Sequence, residues 1–205
     1  RQGAEIWVNE HFVGRHENGV MAFGYDISKY LNFGGKENVI ALRIDNSWDY
    51  KEKESGTSYQ WNDKNFNANY GGLPKNVILH CTNKMYQTLP LMSSLGTQGV
   101  YTYADKIDVR EKTAVMHVES EVRNENDKPV TFYMNVVLRD NNRNMIKEFR
   151  SEEQSLEPGE TRIVSASSPI SKVKFWSWGY GYLYHVSSSL VVKGKAVDIV
   201  ETTTG

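Results

Sequence analysis

Residues 113–139 read TAVMHVESEVRNENDKPVTFYMNVVLR. Apolar and polar side chains alternate through TAVMHVESEVRN and again through VTFYMNVVLR, and the ENDKP between them is turn material. Successive side chains of an extended chain point to opposite faces, so this alternation describes strands, whereas a helix needs apolar residues three and four apart. Val115, Val118 and Val122 against Val136 and Leu138 are expected to supply a core.

The rhythm continues on both sides of this stretch. GVYTYADKIDVR precedes it, and MIKEFRSEEQSL, TRIVSASS, YLYHVSSSLVV and AVDIVET follow, separated by NNRN, EPGE and KGK. Seven short strands at this spacing over about 110 residues are the pattern of an immunoglobulin-like sandwich. Towards the N-terminus, AEIWV, Asn9-Glu10 and HFVGRH predict a hairpin with Ala4, Ile6 and Val8 on one face. In DISKYL, Asp26 is expected to cap a single helical turn ending near Gly34-Gly35, and NVIALRID reads as a strong strand. Residues 46–74 are polar, aromatic and rich in Asn, and longer than an ordinary connection. KNVILHCT, 75–82, restores the strand pattern, and Asn83 to Pro90 reads as a linker. About five strands are expected in this first part, against about eight in a complete jelly roll, so its first strands are expected upstream of Arg1.

Composition excludes several function classes. The chain has 205 residues, with 24 Lys plus Arg against 25 Asp plus Glu, and the charges are scattered, which argues against nucleic acid and anionic membrane as partners. Mean hydropathy is -0.57, and no apolar stretch approaches the roughly 20 residues of a membrane span. The opening RQGAEIWV has no signal-peptide features. Cys81 is the only cysteine and the five histidines lack metal-ligand spacing, so neither a metal nor a cofactor is expected. No G-x-S-x-G elbow, phosphate-binding glycine loop or H-E-x-x-H occurs. The carboxylate pairs Glu119/Glu121 and Glu152/Glu153 read as solvated strand positions.

Two segments carry chemistry of interest. In the long loop, Trp48, Tyr50, Tyr59, Trp61, Phe66 and Tyr70 are interleaved with Asp49, Asn62, Asp63, Asn65, Asn67 and Asn69. Aromatic faces beside amides and carboxylates suit the C–H face and hydroxyl rim of a sugar; the same aromatics would also pin a long loop to a sandwich, and both readings stay open. Residues 175–186, FWSWGYGYLYHV, are expected to close the sandwich or pack on a neighbouring domain ahead of contacting sugar.

Five segments resemble glycoside hydrolase family 2, the β-galactosidase, β-glucuronidase and β-mannosidase family. AEIWVNEHFVGRHENGVMAFGYDIS with NVIALRIDN resembles its sugar-binding jelly roll, with Glu10 where the family prefers Gly and Ala22 where it prefers Pro. YGGLPKNVILH resembles the S-G-I-x-R-x-V-x-L signature through Gly72, Leu73, Asn76, Val77 and Leu79, with Lys75 in place of Arg. FWSWGYGYLYHV resembles W-S-P-x-x-P-x-L-Y-x-L through Trp176, Ser177, Leu183 and Tyr184, with both prolines replaced, by Trp178 and Gly181. DIVETTTG, 198–205, resembles the exit into the catalytic barrel.

The resemblance implies an all-β chain: a partial, galactose-binding-like jelly-roll sandwich over 1–83, then an immunoglobulin-like sandwich over 84–205. It implies a retaining exo-glycosidase, most like a β-galactosidase, whose two catalytic glutamates lie on a (β/α)₈ barrel beyond this chain, so no catalytic residue is assigned here. In the family a jelly-roll loop runs towards the active-site mouth, and residues 59–70 match its place. Trp61, Asp63, Asn65, Asn67 and Tyr70 are therefore expected to bind substrate. The implied partners are a β-galactoside-like glycan, the parent's barrel and other copies of the chain; the implied setting is periplasmic or extracellular. A free-standing carbohydrate-binding module and a sugar-free spacer remain alternatives.

Overall fold

The computed structural model describes residues 3–19, 21–47, 49–58, 71–73, 75–92 and 94–205. The chain divides into two compact units, residues 1–79 with 93–95, and residues 80–92 with 96–205.

In the first unit β1 (Gly3–Val8), β2 (His11–His16) and β3 (Ile40–Asp45) form an antiparallel sheet in the order β2-β1-β3. Asn9 and Glu10 both have positive φ, 46° and 70°, the signature of a type I′ hairpin turn whose twist matches the strands it joins. Ala4, Ile6 and Val8 are buried on one face, and their register partners Ile44, Leu42 and Ile40 extend that apolar face across β3. Asn9 extends the pairing beyond β3: its backbone N donates to Val39 O at 3.0 Å and its side-chain Oδ1 accepts from Val39 N at 2.9 Å. The helical turn is a 3₁₀ turn, Ser28–Tyr30, with Asp26 Oδ1 accepting from Ser28 N at 2.9 Å, and it is over well before Gly34.

Two expectations fail here. KNVILHCT forms no ladder among the described residues, and Val77, Ile78 and Leu79 stand 67%, 68% and 63% exposed. The alternation is present, but a strand also needs a hydrogen-bonding partner, which local sequence does not specify. The described residues of this unit therefore hold three ladder strands where about five were expected. Second, Asn83–Pro90 is not a plain linker: β4 (Met85–Gln87) lies within it and pairs with the second unit's sheet, burying Met85 and Gln87.

The second unit is a two-sheet sandwich. One sheet holds β10 (Thr161–Ser171), β6 (Thr113–Asn124), β4 and β5 (Val100–Asp108); β6 pairs with β10 along one edge and with β5 and β4 in turn along the other. The facing sheet runs β12 (Lys195–Thr204), β11 (Tyr184–Val192), β7 (Val130–Arg139) and β8 (Met145–Arg150), and β9 (Gln154–Leu156) also pairs with β7. MIKEFRSEEQSL, expected as one strand, is split into β8 and β9. At the break Ser151 N donates to Met134 O and Ser151 Oγ accepts from Met134 N, both at 2.9 Å, so β7 loses no hydrogen bond. The strand β5–β6–β10 set against β12–β11–β7–β8 is an immunoglobulin-like arrangement.

Val118 and Val122 face Phe132, Met134, Val136 and Leu138 in the shared core, with Val164, Val186 and Leu190 closing it. Each such side chain contributes roughly 1.5–3 kcal/mol by leaving water. Val115 departs from expectation: it sits on the outer face, half-exposed, because an odd-numbered position cannot share a face with 118 and 122, and Ala114 and Met116 take the inner places.

Buried polar groups bridge the sheets. Gln87 Nε2 donates to Ser188 O at 3.1 Å and to Asp198 Oδ2 at 3.2 Å, while its Oε1 accepts from Ser120 Oγ at 3.1 Å and Ser188 Oγ at 2.7 Å. Every polar atom of that side chain is thereby satisfied, as burial requires.

Candidate functional site

All five sequence-predicted ligands, Trp61, Asp63, Asn65, Asn67 and Tyr70, lie outside the described residues. The neck of their loop is described. Ser47 donates to Asp45 Oδ1 from its hydroxyl at 2.6 Å and its N–H at 3.0 Å, and these bonds hold the Asp45 carboxyl below its ordinary value. Tyr50 is buried and its hydroxyl donates to Glu17, whose Oε1 also accepts from Lys53 N at 3.0 Å. Lys51 bridges to Ser58, and Gly56 turns the chain back with φ 67°. On the return side Gly71 approaches Asn46 so closely that a Cβ there would lie 2.9 Å from Asn46 Oδ1. Loop start and return therefore meet at Asn46 and Gly71. Beside this neck Glu5 pairs with Arg15 at 2.6 Å and Arg43 at 3.6 Å, and the hydrogen bond to Glu5 raises the Arg15 guanidinium further. The hollow lined by Gly3, Glu5, Arg43, Asp45, Tyr50 and Lys53 measures only ≈ 10 Å³, about one water.

FWSWGYGYLYHV is mainly a structural closure. Tyr184, at the start of β11, accepts from Lys174 N at 2.7 Å and donates to Lys174 O at 3.2 Å, the tyrosine-corner arrangement of immunoglobulin-like folds. Burial pushes its phenol up. Tyr182 packs edge-on to Tyr184 at 5.1 Å and stacks on Tyr180 at 6.0 Å, leading from core to surface. Ser177 and Tyr180 exchange backbone hydrogen bonds around Trp178 and Gly179, whose φ of 79° suits the third position of a type II turn. Trp178 stands at that tip, 94% exposed.

A second cluster was not foreseen. On the outer face of β5 and β6, register places Tyr101 opposite Glu119 and Tyr103 opposite His117. Tyr101 stacks on Tyr103 at 5.3 Å, Tyr103 stacks on His117 at 4.8 Å, and His117 Nε2 lies 2.8 Å from Asp105 Oδ1. Tyr103 donates its hydroxyl to Glu119 Oε1 at 3.1 Å, which raises the phenol. Glu121 Oε1 accepts from Thr88 Oγ1 at 2.8 Å and Gln98 N at 3.2 Å. A shallow cleft of ≈ 160 Å³ opens here, lined by Met92, Gln98, Gly99, Tyr101, Glu119, Glu121 and Ile163. The signal in the sequence was the pair Tyr101, Tyr103 at period 2, but which strand it would lie beside was not legible. No group of three or more potential metal ligands occurs among the described residues.

A family model described as glycosyl hydrolases family 2 matches residues 98–205. A beta-glucuronidase of Formosa agariphila is 30% identical over 100% of this chain and 20% of its own length. A beta-galactosidase of Thermoanaerobacter pseudethanolicus is 24% identical over 98% of this chain and 24% of its own. The solved structure of a beta-glucuronidase from glycoside hydrolase family 2 superposes with a TM-score of 0.90 at 28% identity, covering 100% of this chain and 21% of that one. The chain thus spans about a fifth to a quarter of these relatives. Over its length it shares that solved structure's fold, all-β with sandwich-like sheets. The match covers more than half of the residues and includes every strand of the sandwich from β5 onward, so the chain belongs to glycosyl hydrolases family 2.

Proposed function

We propose that this chain is a non-catalytic accessory region of a retaining exo-β-glycosidase, with a partial jelly roll up to residue 83 and the immunoglobulin-like sandwich from 84. The observation that carries this reading is full-length similarity to glycosidases of which the chain spans only a fraction. The parent acts by double displacement through two glutamates on its barrel, and this region frames the pocket. Its substrate is a β-galactoside or a β-glucuronoside, since the relatives divide between beta-glucuronidases and beta-galactosidases. Trp61 stacks on that sugar, and Asp63, Asn65, Asn67 and Tyr70 bond its hydroxyls. The fixed neck at Asn46, Tyr50 and Gly71 supports the role, because a site on a long loop needs an anchored base.

The test begins with the native protein's mass in source cells, using an antibody against this chain. A band far above 23.4 kDa is expected; a band at that mass would replace the reading with a free-standing carbohydrate-binding module. The full-length protein is then assayed on 4-nitrophenyl β-D-glucuronide and β-D-galactoside. Replacing Trp61 and Asp63 by Ala is expected to lower kcat/KM on the better substrate by about tenfold or more, since one lost stacking contact and one charged hydrogen bond together exceed 1.4 kcal/mol. An unchanged kcat/KM would remove this loop from the substrate site.

A further inference from the structure

The cleft on the outer face of β5, β6 and β10 has a division of chemistry that points to a ligand. Its apolar surfaces are Met92, Ile163 and the ring of Tyr101, which is 62% exposed. Tyr103 covers one face of that ring and, backed by His117 and Asp105, fixes its tilt. Its polar wall is Glu119 and Glu121, two residues apart on β6 and so on the same face. Each carboxylate is held by one oxygen, Glu119 by Tyr103 and Glu121 by Thr88 and Gln98 N, and no protein donor reaches the other oxygen of either among the described residues. Two cations on these strands are engaged elsewhere, Arg123 with Glu125 and Arg162 with Glu160. A water needs about 10–15 Å³ of such space. At ≈ 160 Å³ the cleft admits a ring-sized ligand.

An apolar floor beside two carboxylates that only accept hydrogen bonds, with the Gln98 amide also in the lining, selects a ligand with one C–H face and several hydroxyl donors. The two negative charges reject an anionic ligand. We propose that this cleft is an accessory glycan-binding site for neutral hexopyranose units, separate from the 59–70 loop, with Tyr101 stacking on the ring and Glu119 and Glu121 each accepting from hydroxyls. The site goes beyond the proposed function: it holds substrate chains without taking part in cleavage, and it discriminates against uronic acids even where the parent cleaves a uronoside.

Affinity electrophoresis of the full-length protein through gels containing β-1,4-galactan, mixed-linkage β-glucan or polygalacturonate tests it. Retardation by at least one neutral polysaccharide is expected, and none by polygalacturonate. Tyr101→Ala and the pair Glu119→Gln with Glu121→Gln are each expected to weaken retardation about fivefold or more, equivalent to losing roughly 1 kcal/mol of stacking or hydrogen bonding. Turnover of the 4-nitrophenyl glycosides is expected to be unchanged. The Gln pair is close to isosteric and keeps an acceptor for Tyr103 and Thr88, so it decides the question if Tyr101→Ala fails to fold. Equal retardation of wild type and the Gln pair overturns the proposal. So does Glu-dependent binding of poly-L-lysine without any neutral glycan, which would reassign the cleft to a cationic partner. Loss of all glycoside turnover alongside intact, variant-sensitive retardation would overturn the parent's reading and leave this site standing.

Discussion

Glu10 occupies a backbone position, φ 70°, that costs an L-residue roughly 1–2 kcal/mol and glycine nothing. Gly in the unfolded chain gives part of that back. Glu10→Gly is therefore expected to stabilise the first unit by about 0.5–1 kcal/mol, read as a raised urea midpoint at unchanged slope. Tyr184 shows the opposite case, in which one hydroxyl satisfies both backbone groups of Lys174. Tyr184→Phe keeps the packing but strands those groups, and is expected to destabilise the second unit by about 1–2 kcal/mol. Both residues were conspicuous in the sequence, Glu10 as a departure from the family's glycine and Tyr184 within its W-S-P…L-Y motif. The tyrosine corner itself was not legible, because the partner is a backbone group ten residues away across a connection whose path only the fold defines.

At the scale of elements, each long central strand is flanked along one edge by two strands in line: β5 and β4 beside β6, β8 and β9 beside β7. Asn124, at the end of β6, organises one such junction. Its Nδ2 donates to Lys128 O at 3.1 Å and Leu156 O at 2.9 Å, its Oδ1 accepts from Asn126 N at 2.9 Å, and the side chain is fully buried. Asn124→Ala leaves at least two carbonyls and an N–H without partners, and a loss of about 2–4 kcal/mol is expected, with amide exchange accelerated first in 125–130 and 156–160. Gly99 has a similar role at the start of β5. Its φ is 71° and a Cβ would meet Pro90 N at 2.5 Å, so Gly99→Ala is expected to displace the Met92–Gln98 side of the cleft and weaken glycan retardation together with stability.

For the molecule as a whole, the sign of the pH dependence follows from groups held away from their ordinary values. Burial of His16, whose ring stacks on Phe23 at 4.4 Å, lowers its pKa below 6.5 despite backbone hydrogen bonds to Asn18 and Met21. The unfolded chain then takes up a proton first, so this contribution is complete above 6.5 and is lost as pH falls through the lower folded value. Asp45 and Asp140 lie below 3.8 and Glu160 below 4.5 through their hydrogen bonds to Ser47, to Asn144 and to Glu157 N; their contributions are likewise present above the ordinary value and lost on acidification. Tm is expected to be flat between about pH 7 and 9, to begin falling near pH 6.5 and to fall further below pH 4.5, with His16→Phe removing only the first acid phase. Period-2 alternation by itself determined that the chain is all-β, most of its strands, and the core around Val118, Val122, Val136 and Leu138, because which way a side chain points is a local property of extended backbone. Motif order by itself pointed to the family. Pairing was decided only by the tertiary structure. Among the described residues it left 75–82 without a ladder, drew Met85–Gln87 into a sheet and stacked Tyr101 and Tyr103 beside Glu119, since register joins residues distant in sequence through hydrogen bonds that any residue can make.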